Sequence, residues 1–368
     1  MKRLILSLCA VLALAACDNK KANEAADAKP VVKIGVSLPL TGEASNVGKA
    51  VQASVDMAMD EWKQKDTKFD YEVIYEDDVA QSAKAAMIAN KFINMDKVNA
   101  IINIWGYVAP VFAEVAQKNN TVFFTCAGYV ENHDKSYVFN NYTPNKRISE
   151  ALIKKLKKLN VKKIAFGVEI NAVGEARAKD IVEDLRRAGI EVVAVEKYMM
   201  GTVDFRMSIA KMEQQNPDYY IIFIGQPGTK NFIEQHKLIV KKDNLAAIDV
   251  FHEMPKKYWS VANGLWFVKS ANGTPEFEKK FQENTGLEIQ SCVGNSYDNL
   301  NLIINAFENA PVADGKVLPD EEDILKQLHR VKNVDGALGK ISIDEYGDVD
   351  SLPVIQKMVD GEQVPDEK

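Results

Sequence analysis

The stretch PLTGEASNVGKA, Pro39–Ala50, sits between an apolar run and a helical pattern, and the fold turns on what its glycines are for. A phosphate loop needs two glycines around four spacers, then Lys and a hydroxyl side chain, so that backbone amides and an ammonium cradle phosphate. Here Gly42 and Gly48 enclose five residues, and Ala50 follows Lys49 where the magnesium-binding hydroxyl would stand. A nucleotide loop is excluded by spacing and by chemistry. What remains is a turn between a strand and a helix.

Outward from that turn, Val31–Leu40 reads as a strand, and the helix from Asn46 carries an apolar face of Val47, Val51, Val55, Ala58 and Trp62 at helical spacing. Strand Tyr71–Tyr75, helix Ala83–Phe92, strand Ala100–Ile104, helix Ala109–Gln117 and strand Val122–Thr125 follow. After VFNNYTPN the alternation restarts with helix Ile148–Leu159, strand Lys163–Val168, helix Glu175–Ala188 and strand Glu191–Val195. It continues through helix Phe205–Gln214, strand Asp218–Ile224, helix Lys230–Leu238 and strand Ala247–Phe251. Such alternation predicts an α/β fold of parallel sheets with helices on both faces. Residues 31–368 are long for one core, so two lobes are expected, with a ligand cleft where the carboxyl ends of their strands face each other.

The chain opens MKRLILSLCAVLALAAC, two basic residues and an apolar run too short for a lasting bilayer span, as in an export signal. Its ending Leu14-Ala15-Ala16-Cys17 resembles the lipobox of bacterial lipoproteins, which implies cleavage before Cys17 and a lipid on that residue. Asp18 and Asn19 fit the inner-membrane retention rule of a two-membrane cell. NKKANEAADAKP up to Pro30 has no apolar periodicity and reads as a disordered tether.

Asp and Glu number 52 against 46 Lys and Arg, a formal charge of -6, which argues against a nucleic-acid partner needing a basic stripe. KKLKKLNVKK, from Lys154, reads as the solvated face of a helix. His133, His236, His252 and His329 lack metal-ligand spacing, and His252-Glu253 lacks the second histidine of a zinc protease. There is no G-x-S-x-G elbow and no G-x-G-x-x-G after the first strand, so neither a serine nucleophile nor a dinucleotide cofactor is signalled. The expectation is a binding protein without cofactor or metal, not an enzyme. Cys126 and Cys292 are free to pair in an oxidising compartment, but two distant cysteines make no framework, and the pairing stays open.

Four ordered stretches carry a resemblance: VKIGVSLPLTGEASNVGKAV, GVEINAVGEARAKDIVEDLRRAGIEVV, VGNSYDNLNLIINAFENA and GKISIDEYGDVDSLPVIQKMVDG. Together they resemble the solute-binding proteins of branched-chain amino-acid ABC transporters, of the type I periplasmic binding fold. The resemblance implies a monomer of two lobes, each a parallel sheet with helices on both faces, exchanging the chain three times. With signal peptide 1–17 and tether 18–30, it places 31–141 plus 272–336 in lobe 1 and 142–271 plus 337–368 in lobe 2. The implied crossovers lie at Asn140–Thr143, Ser270–Thr274 and Asp335–Lys340.

By the same resemblance the first strand-to-helix loop, with Asn46, faces ligand. Trp105-Gly106-Tyr107 and Ala127-Gly128-Tyr129 stand where the family holds a carboxylate with hydroxyls and backbone amides, Gly106 replacing the usual Ser and Tyr129 the usual Thr. In lobe 2, Val173 replaces a ligand-packing Tyr, Gln226 lies in the loop after the next strand, and Glu253 takes the place of the acid that meets the α-ammonium. The implied function is capture of a small polar metabolite, an amino acid of the branched-chain or amide class, for delivery to an ABC permease from a lipid anchor on the periplasmic side of the inner membrane. An aromatic or other organic carboxylate, or a sensing role on the same fold, are the alternatives; an exported hydrolase would need a nucleophile constellation that is not signalled.

Overall fold

The computed structural model describes residues 29–42, 44–106, 108–127, 137–249, 254 and 256–366. The first tract runs β1 (Val31–Leu38), α1 (Ser45–Trp62), β2 (Asp70–Asp77), α2 (Ser82–Lys91), β3 (Ala100–Ile104), α3 (Ala109–Lys118), β4 (Val122–Cys126) and β5 (Val138–Asn140). Its five strands form a parallel sheet in the order β2-β1-β3-β4-β5. β3 (AIINI) and β4 (VFFTC) are buried along their whole length, as strands covered on both faces must be. Alternate residues divide between two layers: Val32, Ile34, Val36 and Leu38 join the α1 side, while Ile101 and Phe123 join Ala85, Ala89 and Phe112 of α2 and α3.

The second tract runs α4 (Asn145–Lys158), β6 (Lys163–Glu169), α5 (Ala172–Arg187), β7 (Glu191–Tyr198), α6 (Arg206–Glu213), β8 (Tyr219–Phe223), α7 (Gly228–Ile239), β9 (Leu245–Ile248) and β10 (Trp266–Ser270). The chain then returns to the first sheet as α8 (Pro275–Thr285), α9 (Val293–Asn309), α10 (Glu321–His329) and a small hairpin of β11 (Val334–Gly336) and β12 (Gly339–Ile341). α9 lies along α1, with Ser54 Oγ donating to the Val293 carbonyl at 2.7 Å and Trp62 Nε1 to Asn301 Oδ1 at 2.7 Å. The chain ends in lobe 2 as β13 (Pro353–Val359) and β14 (Glu362–Pro365). The second sheet has the order β14-β13-β10-β9-β8-β6-β7; its first two strands are antiparallel, an edge the alternating pattern does not announce.

Two α/β lobes are therefore present, as the alternation implies. The third crossing differs from the one expected at Asp335–Lys340. Ala337, Ile341, Ile343 and Val349 all pack in the core of lobe 1, and Val349 N–H donates to the Asn140 carbonyl at 2.9 Å. Only after Asp350 does the chain leave, to pair β13 with β10. Residues 337–349 thus belong with lobe 1, because their apolar side chains fill the space between its sheet and α10. Cys126 and Cys292 form a disulfide with Cα atoms 5.8 Å apart, tying the end of β4 to the start of α9.

Candidate functional site

The glycines of the opening stretch have local structural causes. Gly42 adopts φ +83, and a Cβ on Gly48 would lie 2.2 Å from the Pro39 carbonyl oxygen, so only glycine lets α1 start against the turn. The turn itself is held by Asp77 at the end of β2. Its Oδ1 accepts the Leu40 and Val79 N–H groups at 2.9 and 3.0 Å, and its Oδ2 accepts the Thr41 hydroxyl at 2.5 Å. Burial opposes ionisation there, but the Thr41 hydroxyl and the backbone donors outweigh it and hold the carboxyl below its ordinary range. Neighbouring Asp78, almost wholly buried, is pushed upward by burial while accepting Ser37 Oγ and the Ala80 N–H, each at 2.8 Å.

At the next strand end Trp105 adopts φ 82, a left-handed backbone that a bulky side chain rarely takes. Its N–H donates to the Cys126 carbonyl at 3.0 Å, and its carbonyl accepts the Ala109 N–H at 3.0 Å, so it closes β3 and opens α3. The half-buried ring packs on both layers of lobe 1. Gly106 follows it. Ala127, one strand over, is buried, and its N–H is engaged by Asn140 Oδ1 at 3.3 Å, which makes it a wall residue rather than an amide donor. Asn46 is exposed in the first turn of α1. Tyr107, Gly128, Tyr129 and Glu253 lie outside the described residues, as does Cys17.

In lobe 2 the ends of β6 and β8 lie side by side. Asn171 caps α5, its Oδ1 accepting the Gly174 N–H at 2.8 Å, and Val173 sits partly buried in the first turn. A Cβ on Gly174 would lie 2.2 Å from the Glu169 carbonyl oxygen, so the glycine after Val173 is required by that close approach. Gln226 is partly buried in the loop after β8, before Pro227.

The structure adds charged groups that spacing did not single out. Glu169, the last residue of β6, is 9% exposed and accepts Asn171 Nδ2 at 3.1 Å through Oε1. Arg177, buried on α5, is ion-paired with buried Asp249, donates through Nε to Asn145 Oδ1 at 3.0 Å and lies 4.9 Å over the Phe223 ring. Asp249 Oδ1 in turn accepts the Ser270 N–H at 3.0 Å, where β10 meets the crossing. A charged residue closing strand KIAFGVE after the apolar run Ile164–Val168 was the available signal for Glu169, since strand carboxyl ends are where such sheets bind ligand.

The sequence-derived residues that are described thus fall into two groups, Trp105, Gly106 and Ala127 with Asn46 on lobe 1, Val173 and Gln226 on lobe 2. Among the described residues no His, Cys, Asp or Glu cluster could hold a metal, and no helix is long and apolar enough to cross a membrane. A groove of about 750 Å³ lined by Tyr137, Leu325, His329 and Arg330 opens beside α10 at the start of β5, away from these strand ends.

Solved structures with the same architecture include a leucine-binding protein of Thermotoga maritima, 21% identical, TM-score 0.75, covering 91% of this chain and 97% of that one. A solute-binding protein of an ABC transporter from Rhodopseudomonas palustris, in complex with 3,4-dihydroxybenzoic acid, is 22% identical with a TM-score of 0.71 over 91% and 95% of the two chains. An ABC transporter substrate-binding protein of Desulfitobacterium hafniense in complex with Leu is 19% identical with a TM-score of 0.73 over 91% and 99%. At these identities the likeness establishes the two-lobe type I fold. The model of the periplasmic binding protein family matches residues 31–350, nearly the whole described chain, and the chain belongs to that family.

Proposed function

We propose that this protein is the ligand-capturing component of an ABC importer, closing its two lobes over a small organic acid and presenting it to a membrane permease. The observation that carries the reading is the pair of sheets, one parallel and one mainly parallel, joined by three adjacent crossings, where Thr143, Ser270 and Ser351 meet, a geometry suited to opening and closing. In this reading Trp105, Gly106, Asn46 and Ala127 supply one wall and Val173 and Gln226 the other, and the sequence resemblance adds Tyr107, Gly128, Tyr129 and Glu253, which lie outside the described residues. An amino acid of the branched-chain or amide class is the first ligand class. Aromatic acids are the second, favoured by the indole of Trp105 at a strained strand end. The protein acts as a monomer outside the cytoplasm, held by a lipid on Cys17; loss of fatty-acid label in Cys17→Ser checks the anchor.

A thermal-shift screen of the purified protein against amino acids and aromatic acids tests the capture reading. A ligand at a hundredfold its dissociation constant stabilises by about 2.7 kcal/mol through mass action. A panel in which nothing raises the melting temperature would overturn it.

A further inference from the structure

We propose that the Cys126–Cys292 disulfide positions Trp105 for ligand contact, so that the bridge governs affinity as well as stability. The inference rests on the capture reading above, in which Trp105 belongs to the lobe 1 wall, and names what holds that wall in place. Two residues that carry side chains take the left-handed backbone at this junction, Trp105 at φ 82 and Cys292 at φ 66, and Cys126 joins them. Its carbonyl accepts the Trp105 N–H at 3.0 Å, and its sulfur is bonded to that of Cys292. A bulky residue stays in this region only where its surroundings over-determine it.

The far end of the bridge is fixed. At the start of α9, Ser54 Oγ donates to the Val293 carbonyl at 2.7 Å and the Gly294 N–H to the Asn272 carbonyl at 3.0 Å, and a Cβ on Gly294 would lie 2.3 Å from that oxygen. The near end has less to hold it. The pairing of β4 with β5 stops at Thr125 and Asn140, so among the described residues Cys126 has its ladder partner on one side, Ile104 of β3. Beyond it the Ala127 N–H reaches Asn140 Oδ1 at 3.3 Å, a long contact. Because Trp105 follows Ile104 directly, a shift of Cys126 carries the indole with it. The disulfide transfers the rigidity of α9 to this strand end and, through one carbonyl, to Trp105.

Fluorine NMR of the whole protein labelled with 5-fluorotryptophan separates positioning from bracing, since the chain has 4 tryptophans and Trp105→Phe identifies the signal of Trp105. In Cys126→Ala with Cys292→Ala the Trp105 resonance should shift by more than its linewidth, while those of Trp259 and Trp266 in lobe 2 stay in place. Calorimetry with the standard amino acids, benzoate and 3,4-dihydroxybenzoate should show the tightest-bound of them weakened about threefold or more. Cys126→Ala with Cys292→Gly, in which glycine suits the left-handed start of α9, should give the same two results and decides alone if the first variant does not fold. A Trp105 resonance that stays in place overturns the assignment, even where that of Trp62, bonded to Asn301 of α9, moves. An affinity unchanged when the Trp105 resonance moves overturns it too, and both results leave the capture reading standing. A parent that binds no member of the panel overturns both.

Discussion

Asp298 shows how far one residue can set the behaviour of this fold. It sits inside α9, almost wholly buried, with Oδ1 and Oδ2 accepting the Ala337 and Leu338 N–H groups at 2.6 and 3.1 Å. Burial pushes its carboxyl up to about 7 against the pull of those two donors. The unfolded chain releases this proton near pH 4 and the folded chain holds it to about 7, so the folded state binds more protons in between and stability falls as pH rises through that window. The gap corresponds to about 4 kcal/mol at most. Asp348, raised to about 6 by burial and by Asp344, acts in the same direction. His236, lowered to about 4 by burial, acts oppositely, since the unfolded chain takes up its proton between about 4 and 6.5. Denaturant midpoints from pH 4 to 8 should therefore decline less in Asp298→Asn than in the parent, and equal slopes would show that Asp298 titrates as an ordinary surface acid. None of this was legible in VGNSYDNLNLI, because the donors come from Ala337 and Leu338, some forty positions on. Trp105 was legible as a strand-end residue, whereas Glu169 looked like any polar residue closing a strand until Asn171, Gly174 and Gly225 were seen around it.

At the scale of elements, the disulfide joins β4 to α9 across 166 residues of sequence. Both sulfurs are buried at the layer where α9 returns to the first sheet, and the link prevents that return from being lost in the unfolded chain. Loop-closure entropy for a loop of this size sets a ceiling near 5 kcal/mol, with about 2–4 kcal/mol usual. The double variant Cys126→Ala with Cys292→Ala should lose about that much in equilibrium denaturation, and a loss under about 0.5 kcal/mol would show that the bridge adds no constraint. The alternating strands and helices from Val31 to Ile248 were readable because each announces itself by a period of two or 3.6 within its own residues. The three-residue β5 and the antiparallel pair β13 and β14 were not, since their pairing is set by distant partners. The third crossing was misplaced for the same reason: Ile341, Ile343 and Val349 alternate like strand residues, and only the core they enter assigns them to lobe 1.

At the scale of the molecule, the two lobes meet in more than the three crossings. Lys256, in the short 3-10 helix Lys256–Ala262 of lobe 2, reaches Glu288 of lobe 1 at 2.9 Å and 3.0 Å. Both side chains are about two-thirds exposed, so the pair is screened and worth only about 0.2–1 kcal/mol. That is too little to hold the lobes together, yet it bears on the equilibrium between open and closed forms, because apparent affinity scales with the fraction of closed protein. Lys256→Glu replaces the attraction with repulsion at the same place and should weaken ligand binding about two- to fivefold at low salt. The effect should fade toward 1 M salt, where the Debye length falls to about 3 Å. Adding Glu288→Lys restores opposite charges in reversed order and should return the affinity to that of the parent. Titrations of the single and double variants at two ionic strengths measure this, and a single variant that binds as the parent does at low salt would show that closure does not bring these two side chains together in solution.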